Sequence, residues 1–262
     1  MKLIICGKGG SGKSTISALL ARAYAERGFK VLVVDSDESN FGLHRQLGLE
    51  LPEDFTHFFG HKKGIYEEGA QDVFAGGWHL EDIPGAYMST DGSVRLMATG
   101  KIADAGEGCA CAMGTLTKTF LEHLKLRDDE VAIVDTEAGV EHFGRGIDRF
   151  ADAILMIADP SYESVQLAGK ITEMGRSFGK PVYIVLNKVD EQQRQLMEEQ
   201  LADHAAVIAA VSQDPEILTA GLKGEKLEKK VDGVDRICRF LSSVHLTDSR
   251  PTLSGAEVPG VC

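Results

Sequence analysis

A glycine-rich stretch near the start of the chain has the residue types and the spacing of a phosphate-binding loop. Residues 7–15 read GKGGSGKST and fit the pattern G-x-x-x-x-G-K-[ST], with its fixed positions at Gly7, Gly12, Lys13 and Ser14. Glycines let backbone N–H groups turn toward phosphate oxygens, Lys13 would neutralise the β- and γ-phosphates, and the Ser14 hydroxyl would ligate Mg²⁺. The stretch therefore predicts a site for ATP or ADP with Mg²⁺, whose other members are Gly9, Gly10, Ser11 and Thr15.

A second stretch carries two soft metal ligands one residue apart. Residues 106–114 read GEGCACAMG and place Cys109 and Cys111 between glycines, which is typical of an exposed loop. Two thiolates this close hold a metal from one side only, whereas Zn²⁺ favours four donors and Ni²⁺ accepts four. Two copies of the chain, related by a twofold axis, would supply four thiolates to one shared ion. The alternative is that both cysteines are small buried side chains.

The other cysteines and the histidines are weaker candidates for metal ligands. We expect Cys6, on a strand, and Cys238, on the apolar face of a helix, to be core residues. His57 and His61 have the spacing of a helical metal pair, but the sequence around them, THFFGHKKG, is a poor helix. We expect His142 to belong to the fold of its own loop.

The composition argues against several function classes. The 262 residues include 28 Lys and Arg against 40 Asp and Glu, so the formal net charge is −12. This charge repels nucleic acid and anionic lipid, and no run of basic residues offsets it. No apolar run approaches the ~20 residues of a membrane span, the N-terminus is not a signal peptide, and the five cysteines do not form a secreted disulfide framework. We therefore expect a cytoplasmic protein that binds neither nucleic acid nor membrane.

Short apolar runs alternate with helical patterns, which predicts an α/β fold with a doubly wound, mainly parallel sheet, as in P-loop NTPases. The predicted strands are Lys2–Cys6, Val31–Asp35, Val94–Ala98, Val131–Asp135, Ala153–Ala158, Val182–Leu186 and Val207–Val211. The predicted helices are Lys13–Arg27, Leu116–Leu126, Tyr162–Phe178, Glu191–Ala202 and Val234–Val244. We expect one P-loop ATPase domain over residues 1–246, with an insertion at the rim of the ligand site over about 52–92 and a flexible tail over 247–262.

A second lysine inside the loop resembles the signature of a distinct group of ATPases. The form GKGGxGKS/T, which contains Lys8 as well as Lys13, is the deviant phosphate loop of that group. In the group, the extra lysine reaches across a dimer to the nucleotide of the partner. The resemblance implies that the chain forms a homodimer with ATP and that Lys8, Lys13 and Asp37 take part in catalysis.

Three further motifs are similar to those of the same group. VLVVDSD at 31–37 resembles the first switch, in which Asp37 would orient the attacking water and join the Mg²⁺ site, although the next residues are Glu38-Ser39-Asn40 rather than the family's common DxDPD form. AIVDTEAGVEH at 132–142 resembles a strand ending in the Mg²⁺-side acid, here Asp135, followed by the second switch. YIVLNKVD at 183–190 places Asn187 and Lys188 just past a strand, where the amide could meet an adenine edge.

The two cysteines and the second switch together resemble the accessory ATPases that mature nickel carbon monoxide dehydrogenase. Those proteins carry C-x-C ahead of a long helix and a second switch of the form xxAGxEHxxRG, which EAGVEHFGRG at 137–146 matches. The resemblance covers most of residues 1–245, though not the insertion. It implies nickel insertion into carbon monoxide dehydrogenase or acetyl-coenzyme A synthase, with Ni²⁺ or Zn²⁺ at Cys109 and Cys111. The alternatives are an electron-transfer ATPase that bridges an iron–sulfur cluster, and a partition-type ATPase without metal.

Overall fold

The computed structural model describes residues 1–60, 65, 70–102 and 111–248, without the side chains of 141 and 245–248. Its strands form one sheet in the order β3-β4-β2-β5-β1-β6-β7-β8, with every neighbouring pair parallel except β3 and β4. The strands are β1 Lys2–Gly7, β2 Lys30–Asp35, β3 Ser89–Asp91, β4 Val94–Ala98, β5 Glu130–Asp135, β6 Ala153–Ala158, β7 Val182–Asn187 and β8 Ala206–Val211. The predicted doubly wound α/β fold is confirmed.

Helices cover both faces of this sheet. They are α1 Lys13–Glu26, α2 Leu43–Leu47, α3 Ala70–Phe74, α4 Cys111–His123, α5 Glu141–Arg145, α6 Tyr162–Ser177, α7 Glu191–Leu201, α8 Pro215–Lys223 and α9 Asp232–Asp248. Single 3₁₀ turns lie at Phe55–Phe59, Leu80–Asp82, Gly85–Tyr87 and Ile147–Phe150. None of the helices in the described ranges is long and apolar enough to span a membrane.

Alternate residues of the strands enter two separate cores. On β1, Ile4 and Cys6 pack on one side of the sheet, whereas Leu3 and Ile5 pack on the other. A strand that is covered on both faces needs apolar residues at every position, which is why the continuous apolar runs located the parallel strands to within one residue. Cys6 and Cys238 are both fully buried, as expected.

Described aromatic residues between positions 52 and 92 form a layer on α4. Phe55 is fully buried, and its ring lies 5.7 to 6.1 Å from the rings of Phe58, Phe59, Phe74, Trp78, Tyr87 and Phe120. Phe120 belongs to α4, so the layer fixes the helix that begins at Cys111. The layer uses 3₁₀ turns and the short α3, which give no long periodic pattern in the sequence.

We expect Phe55→Ala to lower the free energy of unfolding by about 3–5 kcal/mol, because it leaves a cavity among closely packed rings. The matched control is Phe58→Ala in the same 3₁₀ turn, whose side chain is 36% exposed. We expect it to cost less than about half as much. Urea unfolding followed by circular dichroism measures both. Equal losses in the two variants would contradict a packed aromatic layer centred on Phe55.

Candidate functional site

The loop between β1 and α1 has a conformation that its glycines make possible. Gly10 and Gly12 have φ angles of 78° and 96°, in the left-handed region that favours glycine. A Cβ on Gly12 would also collide with the side-chain amide of Asn187. Helix α1 begins at Lys13 with no side-chain cap from Gly12 and no acidic residue in its first turn. The positive end of the helix dipole is therefore available to a phosphate group.

Ser14 and Asp135 lie together beside this loop. The Ser14 Oγ donates to Asp135 Oδ2 at 2.6 Å, and the Ser17 Oγ donates to Asp135 Oδ1 at 2.9 Å. Asp135 is fully buried. Its burial raises the pKa of the carboxyl above the ordinary value, although the hydrogen bonds from Ser14 and Ser17 act in the opposite direction. Hydroxyl and carboxylate oxygens are the ligands that Mg²⁺ prefers, and a cation would offset the cost of this desolvated carboxylate. The pair therefore fits a Mg²⁺ ion.

The first switch takes a different arrangement from the one expected. The Asp37 Oδ1 accepts hydrogen bonds from the Ser39 backbone N at 3.0 Å and the Ser39 Oγ at 2.6 Å. Asn40 reaches the phosphate loop instead, and its Nδ2 donates to the Ser14 Oγ at 2.7 Å. Of the three predicted Mg²⁺ ligands, the structure joins Ser14 and Asp135, whereas the carboxylate of Asp37 is held in its own turn. The catalytic role of Asp37 stays a prediction.

Lys8 is held within its own chain in this structure. Its Nζ lies 2.9 Å from the Ser161 Oγ and 3.2 Å from Asp159 Oδ2. Burial opposes ionisation of Asp159, but hydrogen bonds from Ser164, Ser161 and Lys8 leave the pKa of this carboxyl below its ordinary value. The lysine side chain is 33% exposed. It can therefore leave Asp159 for another anion without unfolding any element.

We predict that Lys8→Ala binds ATP nearly normally but does not form a closed ATP-dependent dimer. The loop backbone and Lys13 remain in this variant, so only the bond across the interface is lost. Size-exclusion chromatography with a non-hydrolysable ATP analogue measures the dimer. Asp159→Asn is the matched control, because it removes the partner of Lys8 within the chain and keeps the lysine. A Lys8→Ala dimer like that of the unchanged protein would contradict the prediction.

The second switch is joined directly to the phosphate loop and to α4. The Gly139 backbone N donates to the Gly7 carbonyl at 3.2 Å. Glu137 forms an ion pair with Arg145 of α5, and the stem of Arg145 lies so close to Gly114 that a Cβ there would collide with it. Burial, together with the neighbouring Glu38 carboxylate, raises the pKa of Glu137 to about 7. Contacts thus run from the loop through the switch to α4.

Asn187 and Lys188 both brace the phosphate loop from the end of β7. The Asn187 Nδ2 donates to the Ser11 carbonyl at 2.7 Å, and the Lys188 Nζ donates to the Gly10 carbonyl at 2.8 Å. This bond uses one of the two Nδ2 hydrogens of Asn187, so the second hydrogen and the Oδ1 could still meet an adenine edge. A mostly apolar cleft of about 280 Å³ opens beside Asn187, with walls that include Ile16, Leu19 and Leu218. A flat apolar base fits such walls.

Cys111 is the first residue of α4 and is exposed, so the expected loop at this position is wrong. The helix begins here because Ala112, Leu116 and Phe120 recur every four residues and bury one face. Exposure also argues against Cys111 as a buried packing residue. The sulfur of Cys111 is part of a disulfide in this structure. A cleft of about 380 Å³ opens beside it, with walls that include Gln71, Lys118 and Arg145.

Within the described residues, the other metal candidates are not brought together. Cys109 and His61 lie outside the described residues, and His57 is exposed on a 3₁₀ turn. His142 is buried in α5, where burial lowers its pKa to about 3, so the imidazole is neutral. Within the ranges that the structure covers, no three His, Cys, Asp or Glu side chains are grouped to hold a metal.

Four polar residues were not predicted from the sequence: Ser17, Asn40 and Asp159 beside the phosphate loop, and Lys101 at the first switch. Ser17 lies one turn after Ser14 of the phosphate-loop motif, and Asp159 directly follows β6, so position relative to known elements was a usable signal for both. Lys101 comes three residues after β4 and is buried. The residues on either side of it, in the stretch TGKIA at 99–103, give no sign of this burial.

Comparison with known proteins places this geometry in a family. The model of the CobQ/CobB/MinD/ParA nucleotide binding domain matches residues 2–227. The chain belongs to the MinD/ParA family. It is an ATPase of this family.

Three similar proteins show how far the likeness of this MinD/ParA-family ATPase extends. An uncharacterized ATP-binding protein of Methanocaldococcus jannaschii is 44% identical over 92% of this chain and 100% of its own length. The carbon monoxide dehydrogenase accessory protein CooC of Rhodospirillum rubrum is 32% identical over 72% of this chain and 74% of its own. The structure of the septum site-determining protein MinD of Pyrococcus horikoshii, solved with Mg-ADP, aligns with this chain at a TM-score of 0.67 and 21% identity. The alignment covers 95% of this chain and 98% of the MinD chain. The MinD likeness is one of fold.

Proposed function

We propose that this MinD/ParA-family ATPase is a homodimeric metal-loading ATPase. In the proposal, closure of the dimer around ATP and Mg²⁺ changes how one Ni²⁺ or Zn²⁺ is held between the two chains by Cys109 and Cys111 of each. The client is a nickel enzyme, carbon monoxide dehydrogenase or acetyl-coenzyme A synthase. The metal is cargo that the protein delivers.

The observation that supports the proposal most is the contact beneath Cys111. Gly114 lies one helical turn after Cys111, on the same face of α4, and Arg145 packs against it. Arg145 pairs with Glu137, whose switch is bonded to the phosphate loop through Gly139 and Gly7. A rearrangement of the second switch on hydrolysis would therefore act on the helix turn that carries the exposed cysteine.

Two further findings favour metal delivery over the other functions of the family. CooC, at 32% identity, is named as an accessory protein of carbon monoxide dehydrogenase. The two cysteines are also separated by a single residue, so each chain offers one two-thiolate arm, and two arms complete a tetrahedral or square-planar set for one ion. Lys118 and Arg145 beside Cys111 would offset the negative charge of several thiolates.

Activation of a nickel-free client enzyme tests the proposal. Nickel-deficient carbon monoxide dehydrogenase is incubated with Ni²⁺, the reduced ATPase and ATP, and its carbon monoxide oxidation is followed over time. We expect activation at lower Ni²⁺ with ATP than with ADP, and no such gain with Cys111→Ser. Cys238→Ala, which removes a buried thiol, is the control and should keep the gain.

Two results would refute metal delivery. Equal activation by Cys111→Ser would remove the cysteine from the mechanism. A brown absorption with stoichiometric iron and sulfide in anaerobically purified protein would instead assign a bridging iron–sulfur cluster.

A further inference from the structure

Lys101 is a buried lysine that the nucleotide site described above does not use. Its side chain is 4% exposed. The Nζ donates to Asp35 Oδ2 at 2.7 Å and to the backbone carbonyl of Asp37 at 2.6 Å. One ammonium group thus joins the last residue of β2 to the residue that is predicted to orient the attacking water.

The backbone around Lys101 is attached to the same segment. The Ile102 N donates to the Glu38 carbonyl at 3.1 Å, one residue beyond the bond to Asp37. The Lys101 N donates to Asp54 Oδ2 at 2.9 Å, and the Lys101 Nζ lies 5.9 Å from the centre of the Phe41 ring. Residues 101–102 therefore hold the first switch at several successive points.

Stability alone does not account for a charged pair at this position. Lys101 and the 1% exposed Asp35 must both lose their water, and well-packed apolar residues of similar volume often replace buried ion pairs with no loss of stability. What an apolar residue cannot do is donate a hydrogen bond to the Asp37 carbonyl. An ammonium group carries three donors and can satisfy the carboxylate and the carbonyl together.

We propose that Lys101 is a positioning residue for ATP hydrolysis. By holding the Asp37 carbonyl against the end of β2, it fixes the backbone from which the Asp37 carboxylate must reach the attacking water. Within the described residues, the hydrogen bonds of Lys101 go to Asp54, Asp35 and Asp37 and none goes to the phosphate loop, so we expect it to act on the catalytic step and to leave ATP binding intact. The proposal rests on the hydrolytic role predicted for Asp37.

The test compares a variant that keeps the lysine with a variant that removes both buried charges. Lys101→Met alone would leave the Asp35 carboxylate buried without a partner and could unfold the chain. Asp35→Asn keeps the lysine, and the double variant Asp35→Asn/Lys101→Met removes both charges, so their difference isolates the lysine. Lys30→Met is the surface control, because Lys30 lies at the other end of β2 and its side chain is 39% exposed.

We expect the double variant to have a kcat at least about tenfold below that of Asp35→Asn, because small misplacements of a reacting group are costly. The KM for ATP and the Kd for a non-hydrolysable analogue should agree within about threefold between the two variants. Lys30→Met should have the same kcat, KM and Kd as the unchanged protein.

Two results would overturn the proposal. One is a kcat of the double variant within about twofold of Asp35→Asn, and the other is a loss of analogue affinity as large as the loss of kcat. The second result would make Lys101 a support of the fold alone. The role of Asp37 is judged separately by Asp37→Asn, so failure of that role and failure of the Lys101 proposal are distinguishable.

Discussion

Lys13→Ala is expected to raise the Kd for ATP by at least about 100-fold, because it removes the ammonium group that neutralises the β- and γ-phosphates. Lys13 is the first residue of α1 and is only 7% exposed, so its side chain is confined beside the phosphate loop. The remaining cradle, made of backbone N–H groups and the helix dipole, cannot replace a full charge.

Binding of a fluorescent ATP analogue measures this loss. Lys30→Ala, which removes a lysine paired with Asp129 at the start of β2, is the matched control and should bind like the unchanged protein. Circular dichroism shows whether each variant is folded. Unchanged ATP affinity in folded Lys13→Ala would refute the assignment of residues 7–15 as the phosphate loop.

We expect Asp37→Asn to bind ATP with unchanged affinity and to hydrolyse it at least about 100-fold more slowly. An amide cannot accept a proton, and it orients water less well than a carboxylate. The asparagine Oδ1 can still accept the two hydrogen bonds from Ser39, so the turn that Asp37 forms is preserved. The loss should therefore fall on kcat and leave KM nearly constant.

Phosphate release under saturating ATP measures the rate, and the affinity comes from the fluorescent analogue. Ser39→Ala is the control for the turn, because it removes the hydroxyl bond to Asp37 and keeps the carboxylate. We expect it to be slowed far less than Asp37→Asn. Full activity of Asp37→Asn would assign water orientation to a different residue.

The sheet and the phosphate loop were predictable because each has a strong local signal. β6 is apolar at every position, as are the interior residues 3–6 of β1 and 131–134 of β5. The loop places its glycines and Lys13 at fixed spacing between a strand and a helix. Positive φ at Gly10 and Gly12 then follows from the motif. Local sequence and fold agree in this part of the chain.

What the sequence did not reveal depends on contacts between distant segments. Lys101 meets Asp35 across 66 residues of sequence, and Lys8 meets Asp159 across 151, so neither pairing leaves a local pattern. The glycine-rich context of Cys111 favoured a loop, whereas the burial of Ala112, Leu116 and Phe120 extends the helix to the cysteine. The described part of the insertion packs on α4 through aromatic rings, and such packing leaves no periodic pattern in the sequence.

In the proposed function, two chains share one metal ion through Cys109 and Cys111, and equilibrium dialysis of Ni²⁺ or Zn²⁺ against reduced protein tests this sharing most directly. We predict one ion for every two chains, and loss of this ion in Cys111→Ser but not in Cys238→Ala. The affinity for the ion should change when an ATP analogue is bound, and it should fall as lower pH protonates the thiolates. One ion per chain, or an undiminished ion count in Cys111→Ser, would contradict the claim.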